Sequence, residues 1–311
     1  MGYAPGKVIL FGEHAVVYGR PAIAIPVTQV QAQAEVQDVP TDKGIVIVAE
    51  DLGFTHRVGP EPTINEQARP LETIVLKTLE WLHITPRPAI CITVRSTVPL
   101  ARGLGSSAAV STAIVRALAA HFSIAITPQE VSELVYQTEI IHHGTPSGID
   151  NTVIAFEQPV YFVRGKPVEP FQVGRPFHIA IADTGIPSST KVVVGDVRTA
   201  WEANPERYEA LFNRIGAIVQ RARIIIERGE SHLLGPLMDE NHQLLRALGV
   251  SSRELDLLAK AARKAGAGGA KLSGAGRGGN LIALVTPKTA TAVERALREA
   301  GARDVLITAV S

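Results

Sequence analysis

A single cysteine in 311 residues leaves no internal disulfide framework. Aromatic residues make up only 5% of the chain and the formal net charge is +1, so neither a base-stacking platform nor a basic face for nucleic acid or an anionic membrane is supported. No apolar run reaches the roughly 18 residues of a membrane span. The opening residues, MGYAPGKVILFGEH, lack the basic segment and longer apolar core of a secretory signal. These absences predict a cytoplasmic protein with no nucleic-acid or membrane partner. Cys91 sits in the strand-like PAICITVRS, where a buried, inert thiol is expected rather than a nucleophile.

What is present is ordinary globular chemistry, 46% hydrophobic and 20% charged. The length exceeds one comfortable core, so two lobes are expected. Residues 28–36 alternate in polarity at the period of a half-buried strand, and 7–13, 44–50 and 89–99 also read as strands. Residues 69–84 carry apolar positions at helical spacing. From Ser106 a nearly polar-free helix follows, and Thr127 with Glu130 forms a capping box for the next one. A proline-rich stretch, 157–177, reads as a crossover between lobes. Beyond it, helices are expected at 190–203, 208–228, 231–248, 252–265 and 289–300. Strands and helices alternate without a repeating unit, which favours α+β over a doubly wound sheet.

Three stretches carry chemistry. In PLARGLGSSAA, residues 99–109, glycines let backbone amides face outward just ahead of a helix N-terminus. That arrangement suits a phosphate, and Ser106 and Ser107 add hydroxyls for a phosphate oxygen or a magnesium ion. The alternative is a tight strand–helix turn with serine caps. In GAGRGG, residues 274–279, the GxGxxG spacing is met, but the element order is expected to be helix before and strand after. A dinucleotide fingerprint needs the reverse. What is left is either a loop approaching a ligand or a structural turn. In EIIHHGTPSGIDN, Glu139 is expected on a helix and Asp150 on a loop after it, one carboxylate for a divalent cation and one for proton transfer. The competing roles are a solvated helix face and a turn residue. His142 and His143, adjacent on a helix, make poor metal-ligand geometry and read as one surface and one packed histidine.

Taken together, these motifs resemble the GHMP small-molecule kinases, with KLSGAGRGGN similar to the family's third motif, and APGKVILFGEHAVVYGRPAIA, HGTPSGIDN, DTGIPSSTK and LMDENHQLLRALGVSS are similar to the mevalonate-phosphorylating branch. The resemblance runs in order from Ala4 to about Leu284. It departs at Asn280, where many relatives carry Cys, and at Arg277, where Gly is frequent; both changes are expected to leave activity standing while altering nucleotide or inhibitor affinity. The fold implied is a two-lobed α+β GHMP kinase fold. It comprises an ATP-binding N-terminal lobe of the ribosomal-protein-S5-domain-2 type over 1–173 and a ferredoxin-like C-terminal lobe over 174–311.

The resemblance also implies roles. Pro99, Gly103, Leu104, Gly105, Ser106, Ser107 and Ala108 would hold ATP, with Ser107 and Glu139 on Mg²⁺. Asp150 would accept or orient the proton of the substrate alcohol, and Lys7 would contact both Asp150 and the reacting oxygen. Glu13, His14, Tyr18, Ser147, Thr190, Gly274, Ala275 and Gly276 would face the substrate. That substrate is implied to be mevalonate, phosphorylated on its C5 hydroxyl in isoprenoid biosynthesis. Relatives commonly form homodimers. The rivals are a sibling kinase of phosphomevalonate or homoserine, a diphosphomevalonate decarboxylase-like enzyme, and a non-catalytic regulator on the same fold.

Overall fold

The computed structural model describes residues 1–61, 63–100, 102–143, 146–167 and 169–311, apart from the side chains of His142 and His143. The expectation of one surface and one packed histidine there lies outside the described residues. In chain order the elements are β1 (Gly2–Phe11), β2 (Ala22–Asp38), β3 (Ile45–Ala49), β4 (Phe54–Arg57), α1 (Arg69–Trp81), β5 (Ile90–Ser96), α2 (Ser106–His121), α3 (Pro128–His143) and α4 (Ile149–Phe156). There follow β6 (Val160–Phe162), β7 (Glu169–Pro170), β8 (Phe177–Asp183), α5 (Thr190–Ala203), α6 (Pro205–Glu227), α7 (Leu234–Ala247), α8 (Arg253–Lys264), β9 (Gly269–Ser273), β10 (Asn280–Val285), α9 (Ala290–Glu299) and β11 (Asp304–Val310).

The chain packs as two compact units, each drawn from separated stretches: Met1–Gly6, Pro26–Leu100 and Leu104–Glu157 in the first, Lys7–Ile25, Ala101–Gly103 and Gln158–Ser311 in the second. In the first unit the strands run β4-β3-β5-β2. β3 lies parallel to β5, and β5 antiparallel to β2 with Val36 opposite Ile92. Burial along β3 alternates as its sequence requires, with Ile45, Ile47 and Ala49 inside. Helices α1, α2, α3 and α4 pack on one another. α2 is apolar over most of its circumference because most of it is buried, including Ala108, Ala109, Ala113–Val115 and Ala117–Ala119. Its small residues also admit backbone: a side chain on Gly2 would lie 2.2 Å from the Ala113 carbonyl oxygen. The capping box of α3 forms as expected, with Thr127 N donating to Glu130 Oε2 at 2.7 Å and Glu130 N to Thr127 Oγ1 at 3.3 Å.

The second unit is built on an antiparallel sheet of order β11-β8-β10-β9, with α7 and α8 packed on β9 and α9 on β11 and β8. β9 and β10 are buried at every position. Within this unit Ala22–Ala24 of β2 also pair with β6. Two expectations are corrected. Residues 269–273 form a strand, so GAGRGG joins two antiparallel strands; the dinucleotide reading still fails, because no helix follows. Cys91, on β5, is only half-buried. Among the described residues no helix is long and apolar enough to cross a membrane.

Candidate active site

In the first unit the glycine-serine motif becomes the N-terminus of α2. Gly105 is the N-cap, in the left-handed region at φ 74°, and no side chain caps the helix. A residue with a Cβ would be strained there, and a serine cap would occupy the first-turn amides. Instead the serines lie one and two positions later. The Oγ atoms of Ser106 and Ser107 are buried with no hydrogen-bond partner. Buried hydroxyls without partners are rare. Beside the unpaired amides and positive end of a helix dipole, they make a site shaped for an anion. Leu104 and Ala108 are buried, while Pro99 is exposed.

Glu139, on α3, is 2% exposed and therefore not on a solvated face. Asp150 stands in the first turn of α4, not on a loop, behind an N-cap at Gly148 with φ 88°. The helix is registered against α3 by the neighbours of Asp150. Asn151 Nδ2 donates to Ser132 O at 3.0 Å and to Ser132 Oγ at 2.8 Å, and Thr152 Oγ1 lies 3.3 Å from the same Ser132 Oγ while donating to its own N-cap, Gly148 O, at 2.7 Å. Ser147 Oγ accepts from Ile149 N at 3.3 Å, so its hydroxyl already serves the helix start. The first unit thus brings Ser106, Ser107, Glu139 and Asp150 onto three mutually packed helices.

The second unit holds Lys7, Gly103, Glu13, His14, Tyr18, Thr190 and residues 274–276. Four motifs far apart in sequence meet here through the glycine hairpin. Arg277 N donates to Val250 O at 2.8 Å, Gly279 N to Ile186 O at 2.9 Å, and His14 Nε2 to Ala275 O at 2.8 Å. The glycines have an internal reason. A Cβ on Gly276 would lie 1.9 Å from Val250 O, and one on Gly278 2.6 Å from Ile186 O; Gly274 faces open space. His14 adopts φ 59° without being glycine, a conformation costing about 1–3 kcal/mol that persists where surroundings enforce it. Burial lowers its pKa to about 4, so it is a neutral ring donating from Nε2 with Nδ1 left as acceptor.

Two buried polar groups were not legible in the motifs. Lys271, in the middle of β9, donates to the carboxylate of Glu13 and, at 2.7 Å, to Leu272 O. Both side chains of this ion pair are 0% exposed. Burial pushes the Glu13 carboxyl up against the pull of Lys271 and Lys7, and pushes the Lys271 ammonium down. Glu13 Oε2 has no hydrogen-bond partner. His242 on α7 accepts from Leu272 N at 3.2 Å and donates to Asp256 Oδ1 at 3.0 Å; burial lowers its pKa to about 4. Tyr18 stacks on Phe212 at 4.2 Å and tilts against Trp201 at 5.3 Å. Thr190 is the exposed first residue of α5, behind the Ser189 cap. Lys7 is buried on β1.

An uncapped helix N-terminus with spare hydroxyls, carboxylates on the adjoining helices, and an antiparallel sheet with a glycine hairpin describe a small-molecule kinase of two α+β units. The chain matches the family model of the GHMP kinases N terminal domain over residues 73–158 and that of the GHMP kinases C terminal over 223–303. It belongs to the GHMP kinases. Within them it stands among the mevalonate kinases. It is 36% identical to the mevalonate kinase of Thermococcus sibiricus, across 97% of this chain and 94% of that protein. It is 38% identical to that of Pyrococcus horikoshii, across 96% and 92%. The crystal structure of L. major mevalonate kinase in complex with R-mevalonate is similar with a TM-score of 0.86 at 29% identity, covering 100% of this chain and 95% of that one. A Streptococcus pneumoniae phosphomevalonate kinase reaches a TM-score of 0.83 at 17% identity, a likeness of fold alone.

Proposed function

We propose that this chain transfers the γ-phosphoryl group of ATP to the C5 hydroxyl of mevalonate, giving 5-phosphomevalonate. The observation that carries the reading is the pair of partnerless buried hydroxyls, Ser106 and Ser107, at an N-terminus that no side chain caps. Phosphoryl transfer asks a protein chiefly for positioning and for neutralising charge. The amides of residues 105–108 bind the nucleotide phosphates, and the serine hydroxyls complete their coordination. One hydroxyl and one carboxylate, Ser107 and Glu139, suit Mg²⁺, which takes most of its remaining ligands from phosphate and water. Bound there, the ion would offset charge on the phosphate oxygens.

Asp150 accepts the proton of the C5 hydroxyl as its oxygen attacks phosphorus, and ADP leaves with the bond electrons. Lys7 offsets negative charge growing on the attacking oxygen. His14 supplies Nδ1 as an acceptor for a substrate hydroxyl, held still by the bond its Nε2 makes to Ala275 O, and Glu13, wholly buried against Lys271, acts by fixing the adjoining backbone rather than by touching the substrate. Purified protein with Mg²⁺ and ATP, offered mevalonate, phosphomevalonate and homoserine in turn, tests the reading. Mevalonate is expected to show the highest kcat/KM by at least about 100-fold. Preference for either other acceptor, release of CO₂, or binding without turnover would select a rival.

A further inference from the structure

Asn280 is a polar residue at 1% exposure. As the first residue of β10 it lies directly across from Asp183 on β8 and Ser273 on β9. The side chains of Asn280 and Asp183 both reach Arg102, the residue before Gly103 in the phosphate motif. Asn280 Nδ2 donates to the Arg102 carbonyl oxygen, and Arg102 Nη1 donates to Asp183 Oδ1 at 3.3 Å. The Asp183 oxygen is itself oriented, since it accepts from Gly185 N at 2.8 Å. A side chain on Gly103, at φ 74°, would meet the Asn280 amide nitrogen at 3.8 Å, so that amide also borders the next residue of the motif. Both ends of Arg102, backbone and guanidinium, are therefore held by one cross-strand pair.

We propose that Asn280 and Asp183 form a two-point clamp that positions the phosphate motif for ATP. They are positioning residues and touch no reacting atom. Without the amide, the Arg102 carbonyl loses its partner and residues 102–103 gain freedom that nucleotide binding must then remove. Asn280 Oδ1, buried with no partner, stands as a second polar atom at the same junction.

This inference rests on the motif being the ATP phosphate site, and the test separates the two. Equilibrium Kd values for ATP and for adenosine are measured on the wild type and on Asn280→Ala, Asn280→Asp and Asp183→Asn, alongside KM and kcat. Wild type should bind ATP more tightly than adenosine; if it does not, the phosphate-site reading and the clamp both fall. Asn280→Ala should raise the Kd and KM for ATP about three- to tenfold, with adenosine affinity, mevalonate KM and kcat within about twofold. Asn280→Asp, which faces a carbonyl with an acceptor, should lose more. Asp183→Asn keeps an acceptor for Gly185 N and should lose less. Unchanged ATP affinity in Asn280→Ala, or equal weakening of ATP, adenosine and mevalonate, overturns the clamp. If Asn280→Ala does not fold, the other two variants decide: ATP affinity weaker in Asn280→Asp than in Asp183→Asn supports the clamp, and the reverse order overturns it.

Discussion

Replacing Lys271 by Met strands the Glu13 carboxylate. In the wild type that carboxylate is 0% exposed, one oxygen is held by Lys271, and the other has no partner. Lys7 is the remaining cation acting on it. Removing one member of a buried pair leaves an uncompensated charge and costs about 3–5 kcal/mol. The cost depends on pH in a defined direction. Burial already raises the Glu13 pKa above 4.5, and loss of Lys271 raises it further. The variant therefore takes up a proton on folding, and its deficit is largest well above the folded pKa, shrinking as pH falls toward the unfolded value. Urea unfolding of wild type and Lys271→Met should show the full deficit at pH 8 and a smaller one at pH 5. The double variant Lys271→Met with Glu13→Met should recover most of the stability, because two apolar side chains of similar size need no partner. A single-variant loss below about 1 kcal/mol, or one equal at both pH values, would refute the reasoning.

The same geometry bears on catalysis and on acid stability. Asp150→Asn should lower kcat by about 10²–10⁴ while ATP affinity stays within about twofold; near-normal turnover would remove Asp150 from proton transfer. Ser107→Ala should raise the KM for Mg·ATP, and an unchanged KM and kcat would move the cation elsewhere. His14 and His242 have pKa values of about 4 in the fold against 6.5 ordinarily, so the unfolded chain binds more protons between those values. Stability should be complete above pH 6.5 and fall as pH drops through that window, by on the order of 2–3 kcal/mol per histidine. His242→Gln, which can still accept from Leu272 N and donate to Asp256, should flatten half of that decline in urea unfolding at pH 7.5 and 4.5.

The sequence announces elements whose own residues decide them. The alternation over 28–36 becomes β2, the apolar run after Ser106 becomes α2, and Thr127 and Glu130 cap α3 as their spacing requires. β9 is hidden because Gly-Ala-Lys-Leu-Ser is short and glycine-bearing, with a lysine at its centre that no local rule would bury. Its burial follows from Glu13, 258 positions away. α4 is hidden by the glycine, proline and serine that precede it, and tertiary bonds from Asn151 and Thr152 to Ser132 on α3 make the short helix worth forming. The phosphate motif was legible through its glycines and serines. The hairpin glycines were legible as a motif, but their reason, close approach to Val250 and Ile186, needed the fold.

Asp150 lies in the first turn of a helix fixed on α3, and the proposed transfer requires it to act on a primary alcohol while α2 grips the phosphates. The most direct measurement incubates the protein with ATP, Mg²⁺ and R-mevalonate and reads the product by phosphorus–proton correlation NMR. The expected product is one new phosphomonoester, with phosphorus coupled to the C5 methylene protons, formed by wild type and about 10²–10⁴-fold more slowly by Asp150→Asn. Phosphorus on the tertiary oxygen or the carboxylate, or a C5 product formed equally by the variant, would contradict it.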